Sequence, residues 1–556
     1  MRDRRWGIRA SCTALLSSAL LGAALGACGS STAVAVPPPS CASGAGATIT
    51  LAVGEYVTID PAAVHGCARF AANPSSKDSI EYLVVPQSAA TTANSQSSFT
   101  LTGGAGAPTP PVRVPAQTGT QSSFDAFLRR SEAAHRYAPA PTRTAPGPRE
   151  VASGPPAAGS SRQFSVCANI SCSQFKTVTA TAKVVTSHLA LYVDNQAPGG
   201  GLTQTDLDSL GSEFEHRLYA IDTTWFGRES DIDNNGVVMV LMTPVVNQLV
   251  DAATCVQSGY VAGFFFGLDL DPTAGFNPNS NQGEVFYSLV ADSGGTLSCA
   301  HSAAAVKQNV PVTFIHEFQH MISYNQHVLI RRGAPEVLWL NEGLSHFAEE
   351  LGGRSFLPGD SATFFIFTRG DLYNGFQYLN APALHPLVDL QGVGGLAQRG
   401  GYWLFVRYLA DQFGDSITRA LETTTLTGPA NVATQTGAPF DRTVTRWGLS
   451  LWVSGLNVKG FTAPPELTFS SWNLHTTYAA LAGQYPALFP RAYPLVPISD
   501  PGSTVNVTDQ LNAGSGYYLR AMQAPDGAAF TLLFAAPGDV NLPPVLAARL
   551  SVIRVR

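Results

Sequence analysis

The chain has 556 residues, of which 45 % are hydrophobic and 13 % charged, and its formal net charge is −6. A negative balance with scarce Lys and Arg leaves no electrostatic footprint for nucleic acid, and a chain of this length holds more than one domain's worth of core. With 52 Gly, 38 Pro and so few charges, the composition reads as an exported protein rich in strands and loops.

The first residues, "MRDRRWGIRA", carry four arginines and lead into the apolar run "ALLSSALLGAALGA". That is a charged n-region followed by an h-region of signal-peptide length. The run closes in "LGAC", which resembles the lipobox of bacterial lipoproteins. The resemblance implies a signal peptide over 1–27, cleavage before Cys28, a lipid on the Cys28 thiol and a membrane tether. Ordinary secretion, with Cys28 incidental, is the alternative. No later segment is long and apolar enough to span a bilayer.

Of the eight cysteines, Cys12 leaves with the signal and Cys28 is the lipidation candidate. The six that remain suit disulfides in an oxidising compartment. Proximity favours Cys41–Cys67, Cys167–Cys172 and Cys255–Cys299. A zinc–thiolate site fits less well, because "CANISC" has no second pair at finger spacing.

Composition then divides the chain. Residues 28–46 are small and Pro-rich and read as a tether. Residues 47–103 hold alternating β-branched runs between turn residues and read as a small all-β domain. Residues 104–160 are Pro/Ala-rich and read as a linker or propeptide, interrupted by one amphipathic piece, "FDAFLRRSEAAHRY". From 161 to 455, strands come first and helices follow, around 311–325, 335–351 and 400–414, which predicts an α+β domain. Residues 456–556 turn loop- and strand-rich again and read as a C-terminal all-β domain.

The chemistry concentrates in "FIHEFQHMISYNQH", 314–327. On a helix, which Pro311 can open, His316 and His320 are four apart and share one face. Glu317 lies beside the first. Two imidazoles that can hold one cation and an adjacent carboxylate that can act as base form the His-Glu-x-x-His pattern of zinc peptidases. Such a site needs a third protein ligand. His327 misses the position used by enzymes with a third histidine by one residue, about 100° around a helix, and is expected to be a loop or surface residue. "PEVLWLNEGLSHFAEELGG", 335–353, supplies a better one: Glu342, a carboxylate among apolar turns that is costly to bury without a partner or a metal. Glu349, on the same stripe, can accept a hydrogen bond from a ligand imidazole. Equally, it reads as an exposed helix-end acid beside Glu350.

"HEFQH" followed by "WLNEGLSHFAEE" resembles the gluzincins, in which the Glu of an Asn-Glu motif is the third zinc ligand. With "DIDNNGVVMVLMTPVVN" upstream, the match is most similar to the hyicolysin-type neutral metallopeptidases and runs over about 200–450. The resemblance implies a zincin-like fold for 161–455, zinc held by His316, His320 and Glu342, and Glu317 as general base toward a zinc-bound water. The Gly-x-Met-Glu-Asn motif of the aminopeptidases is absent, which favours an endopeptidase acting on extracellular or envelope proteins. Thermolysin-like enzymes carry Asp four residues after the ligand Glu; this chain has His346. An oxyanion donor is expected, with Tyr402, Tyr378 and His385 as candidates.

Two further readings complete the expectations. "AGFFFGL" and "GEVFYSLV" are candidates for the edge strand that pairs an extended peptide, with Glu284 expected to be an exposed strand acid. "DIDNNG", 231–236, places Asp231, Asp233 and Asn235 as in a calcium loop, but position 242, where such a loop wants Glu, is Met; a tight turn fits better than Ca2+. The competing function is a surface lipoprotein adhesin or scaffold that keeps the fold without hydrolysis. The expected partners are a protein or peptide substrate and, through Cys28, the membrane.

Overall fold

The computed structural model describes residues 39–42, 46–104, 106–109, 119–134, 154–271, 279–389 and 395–556. The signal sequence and the Cys28 lipidation site lie outside them. Among the described residues, no helix is long and apolar enough to cross a membrane.

The central part is mixed α and β. A six-stranded sheet runs in the order Gly263–Phe265, Val285–Ser288, Val238–Met242, Leu189–Asp194, Phe175–Val185, Ser161–Cys167. Its middle pairs are parallel and its outer pairs antiparallel. The central strand, "VMVLM", is buried along its whole length, as expected where both faces of a sheet are covered. The short strand Gly263–Phe265 forms one edge.

Five helices position the candidate site: α1 (Thr120–Ala134), α2 (Ala303–Tyr324), α3 (Leu338–Arg354), α4 (Ser361–Asn380) and α5 (Leu396–Phe413). Helix α2 does not begin at Pro311 but eight residues earlier, at Ala303. Ser302 caps it by accepting from the Ala305 amide, and Pro311 sits inside the helix. A side-chain cap that satisfies an orphan amide outweighs the tendency of Pro to begin a helix. Gly352 and Gly353 lie within α3, where a Cβ on Gly352 would come 2.8 Å from the Phe367 ring of α4. Gly343 brings α3 equally close to α5: a Cβ there would lie 2.8 Å from the Tyr402 carbonyl oxygen. The residue beside Gly343, Glu342, is thereby pressed into the interior.

The two separate β modules expected at the ends of the sequence are one structure. One five-stranded sheet runs Ala47–Ile49, Cys67–Phe70, Phe530–Ala535, Gln96–Thr102, Asn506–Asn512; the other runs Ile498–Pro501, Leu519–Gln523, Ile80–Ser88, Ala548–Arg554, Tyr56–Ile59. Each sheet interleaves strands from before residue 103 and after residue 497. Phe70, Phe99, Leu101, Leu532 and Phe534 of the first face Tyr82, Val84, Leu519, Leu550 and Val552 of the second across one apolar core. The physical reason is local: each half supplies too few strands to cover its own apolar face, so each completes the other. The six remaining cysteines pair as proximity suggests: Cys41–Cys67, Cys167–Cys172 and Cys255–Cys299.

Candidate metal centre

Helices α2 and α3 pack side by side and bring His316, His320 and Glu342 together, with all three side chains buried. His316 Nε2 lies 3.1 Å from His320 Nε2 and 3.9 Å from Glu342 Oε2, and His320 Nε2 lies 3.6 Å from Glu342 Oε1. Two atoms bound to one tetrahedral zinc at about 2.0–2.1 Å stand about 3.3 Å apart. The three separations therefore match the edges of such a site.

The other nitrogen of each imidazole is already engaged. His316 Nδ1 is 2.7 Å from Glu349 Oε1, and His320 Nδ1 is 2.9 Å from the Ser345 hydroxyl. Both Nε2 atoms are thus turned toward Glu342, the arrangement that fixes tautomer and ring orientation for metal ligation. Neither oxygen of Glu342 accepts a well-aligned hydrogen bond among the described residues; the Arg399 guanidinium approaches Oε2 at 3.0 Å. A buried carboxylate with spare lone pairs facing two imidazole nitrogens is a donor set that fits a divalent cation.

Around this triad lies a layer of buried charge. Glu349 is not an exposed helix-end acid; it is covered, as is Glu350, which accepts from Trp403 and Trp472. Burial raises the Glu349 carboxyl, but the neighbouring His346 and the His316 hydrogen bond outweigh it and hold the group down at about 2. His346 Nδ1 reaches Glu349 at 3.0 Å and Asp371 at 2.9 Å. Burial opposes its proton, yet these two carboxylates keep it on, pushing the imidazole up to about 10. His320, with burial first and Arg129 second, is held well below the usual imidazole range and so is neutral, the form that binds metal.

Glu317 projects from α2 toward the edge strand, where Oε2 accepts from the Phe265 amide at 2.8 Å. Burial pushes its carboxyl up to about 7 against the pull of His316. Tyr402, on α5, lines a cavity of about 10 Å³ together with Glu342 and Arg399, and its hydroxyl has no hydrogen-bond partner among the described residues. Neither Tyr378 nor His385 lines that cavity; Tyr378 packs on Trp447. A larger cavity, about 380 Å³, is bounded by Asp194, Asn195 and Leu202 and contains none of these groups.

Two expectations are corrected. His327 is neither loop nor surface: it is fully buried in the helical turn that extends α2, with Nε2 3.3 Å from Glu422. Glu284 is buried, its Oε1 accepting from the Ile232 amide at 2.9 Å and from the Ser230 hydroxyl. The amphipathic piece that interrupts 104–160 is helix α1, which packs into the core with Phe124 and Leu128 buried. In the loop 231–236, Asp231 accepts from the Asn235 and Gly236 amides, and Arg162 lies 3.5 Å from Asp233. Asp231, Asp233 and the buried Glu284 each bring a carboxylate oxygen within 4.8 Å of the others, so the loop has the donors of a cation site as well as the bonds of a turn. Sequence reasoning missed Arg399 and Asp125. Arg399 stands out as a charge in a largely apolar helix, whereas Asp125 shares its helix with Arg129, Arg130 and Glu132 and gives no such signal.

The fold and the geometry thus define a buried two-histidine, one-glutamate centre with a carboxylate beside it. No protein-family model matches the chain. Over 151 residues it is 27 % identical to the "Neutral metalloprotease ShpI" of Staphylococcus hyicus, a stretch covering 27 % of this chain and 32 % of that protein. The match therefore spans about a third of the relative's length, and it points to a metallopeptidase relationship.

Proposed function

We propose that the chain is a zinc-dependent endopeptidase, exported to an oxidising compartment, in which His316, His320 and Glu342 hold the metal and Glu317 is the general base. The observation that carries this reading is the convergence of two Nε2 atoms and a carboxylate without well-aligned hydrogen-bond partners, each imidazole being fixed from behind. Zinc held there supplies Lewis acidity that lowers the pKa of a water to about 7 and polarises a scissile carbonyl. The protein's own groups do the rest. Glu317, at the face of α2 next to the edge strand, takes a proton and returns it to the leaving amine. The Tyr402 hydroxyl is free to donate to the oxygen that gains charge. Glu349 and Ser345 keep the two imidazoles in register. The tether through Cys28 belongs to the same proposal, and so do an extracellular or envelope protein as substrate and the zincin-like character of 161–455.

The test is metal analysis of the purified chain together with cleavage of unfolded casein. One zinc per chain is expected, lost in Glu342→Ala, with cleavage stopped by 1,10-phenanthroline. A chain that holds zinc but never cleaves is the scaffold reading instead.

A further inference from the structure

Helix α1 lies against the edge strand beside the metal centre, and its inward polar residues are the half-buried Gln121 and the buried Asp125, Arg129 and Glu132, spaced by four, four and three residues. That spacing places all four on one side of the helix. In a β-strand, the backbone groups of alternate residues face the same edge; at the free edge here these are the groups of residues 263, 265 and 267. Four of these groups already have partners. Gln121 Nε2 donates to the Gly263 oxygen at 2.8 Å. Arg129 Nη2 donates to the Phe265 oxygen at 3.0 Å. Glu132 Oε1 accepts from the Gly267 amide at 3.1 Å, and the Phe265 amide is held by Glu317. Gln121 also accepts from the Ala262 amide at 2.7 Å.

The same face reaches the metal ligands. Asp125 Oδ2 accepts from Arg399 Nη2 at 2.6 Å, and that nitrogen is 3.0 Å from Glu342 Oε2. Ser122 and Ala126 close the small cavity beside Glu342 and Tyr402. Phe124 fixes the helix beneath by an edge-to-face contact with Phe264, ring centroids 5.1 Å apart. With α1 in place, His316, Glu317, His320 and Glu342 are between 1 % and 6 % exposed. An extended peptide can neither pair with the strand nor reach the centre.

The geometry points to α1 as a built-in occupant of the substrate edge: a segment of the same chain that mimics, with side chains, the backbone hydrogen bonds of a bound peptide and so keeps the centre latent. This rests on the peptidase reading. Peptide binding requires α1 to leave Gly263–Gly267, and the closed population weakens the apparent affinity in proportion. The pairing of residues 47–102 with 498–554 constrains how this happens. A chain cut once beside α1 keeps that helix attached to the body through its other end, so displacement in place, rather than loss of a dissociable prosegment, opens the groove.

The test uses the full-length, zinc-loaded chain and the double variant Gln121→Ala/Glu132→Ala, whose side chains hold the strand edge and are outside the proposed catalytic and metal-binding set. The probe is the hydroxamate Pro-Leu-Gly-NHOH, followed by calorimetry and by amide hydrogen exchange. The variant should bind it at least about tenfold more tightly. In the wild-type chain, the probe should speed exchange across 120–134. Equal affinity in the two chains overturns the proposal, as does binding to the wild type with α1 still fully protected. Tighter binding by the variant with no casein cleavage by either chain leaves the occupant role standing and removes the peptidase reading.

Discussion

Glu317 and Glu349 are both buried carboxylates within the site, and their surroundings separate their roles. Glu317 is pushed up to about 7 and bonded to a backbone amide, whereas Glu349 is held down at about 2 by two imidazoles. Replacing Glu317 by Gln keeps volume and removes the base. Zinc content should stay at one per chain while cleavage falls by about 10²–10⁴-fold; unchanged casein hydrolysis in that variant would take Glu317 out of the mechanism. Glu349→Ala removes the partner of His316 Nδ1, so zinc affinity should drop by about 10–100-fold, read by competition with a chromophoric chelator. At this scale the sequence is informative where spacing on a helix dictates geometry: the step of four from His316 to His320 fixes a shared face whatever the tertiary structure. Arg399 and Asp125 meet from segments 274 positions apart, and no local periodicity reports such an encounter.

Among the elements, α2 and α3 were legible from their apolar stripes, but their boundaries were not, because Ser302 outcompetes Pro311 as a start and the glycine pair of α3 serves packing. Helix α1 was legible only as an amphipathic piece. Its buried side mixes Phe124 and Leu128 with Asp125, Arg129 and Glu132, and hydrophobic periodicity is blind to the part that docks by hydrogen bonds. The turn after the edge strand, Gly267–Asp269, adds a pH dependence. Burial raises the Asp269 carboxyl to about 7, opposed by hydrogen bonds from Tyr287 and Asn281. Below the unfolded value near 3.8, both states are protonated. Between there and about 7, the unfolded chain has released a proton that the folded chain retains, so this group's contribution to stability is lost as pH rises through the window, by up to about 1.4 kcal/mol per pH unit. Asp269→Asn should therefore show a shallower fall in melting temperature than the wild type between pH 4 and pH 7. Parallel curves would show that Asp269 is ionised in the folded chain.

For the whole molecule, composition and the cysteine count pointed to an exported, strand-rich protein, and the three disulfides agree with an oxidising compartment. What composition could not show is that the two strand-rich ends belong to one sandwich, since strand pairing across most of a chain leaves no local trace. Deleting residues from Ile498 onward removes the partners of Ile80–Ser88 and Gln96–Thr102. Such a fragment should be recovered insoluble or without near-ultraviolet circular dichroism, whereas a soluble, cooperatively unfolding product would show the C-terminal strands to be dispensable.

The pairing of Ile59 with Leu550 sets a schedule as well as a shape. Tyr56–Ile59 and Ile80–Ser88 are made early, yet the strand that lies between them, Ala548–Arg554, is made long after both. Until then they present bare edges of the kind that recruit neighbouring chains. A newly made chain therefore depends on a holding partner, or on dilution, until Ala548–Arg554 has been made.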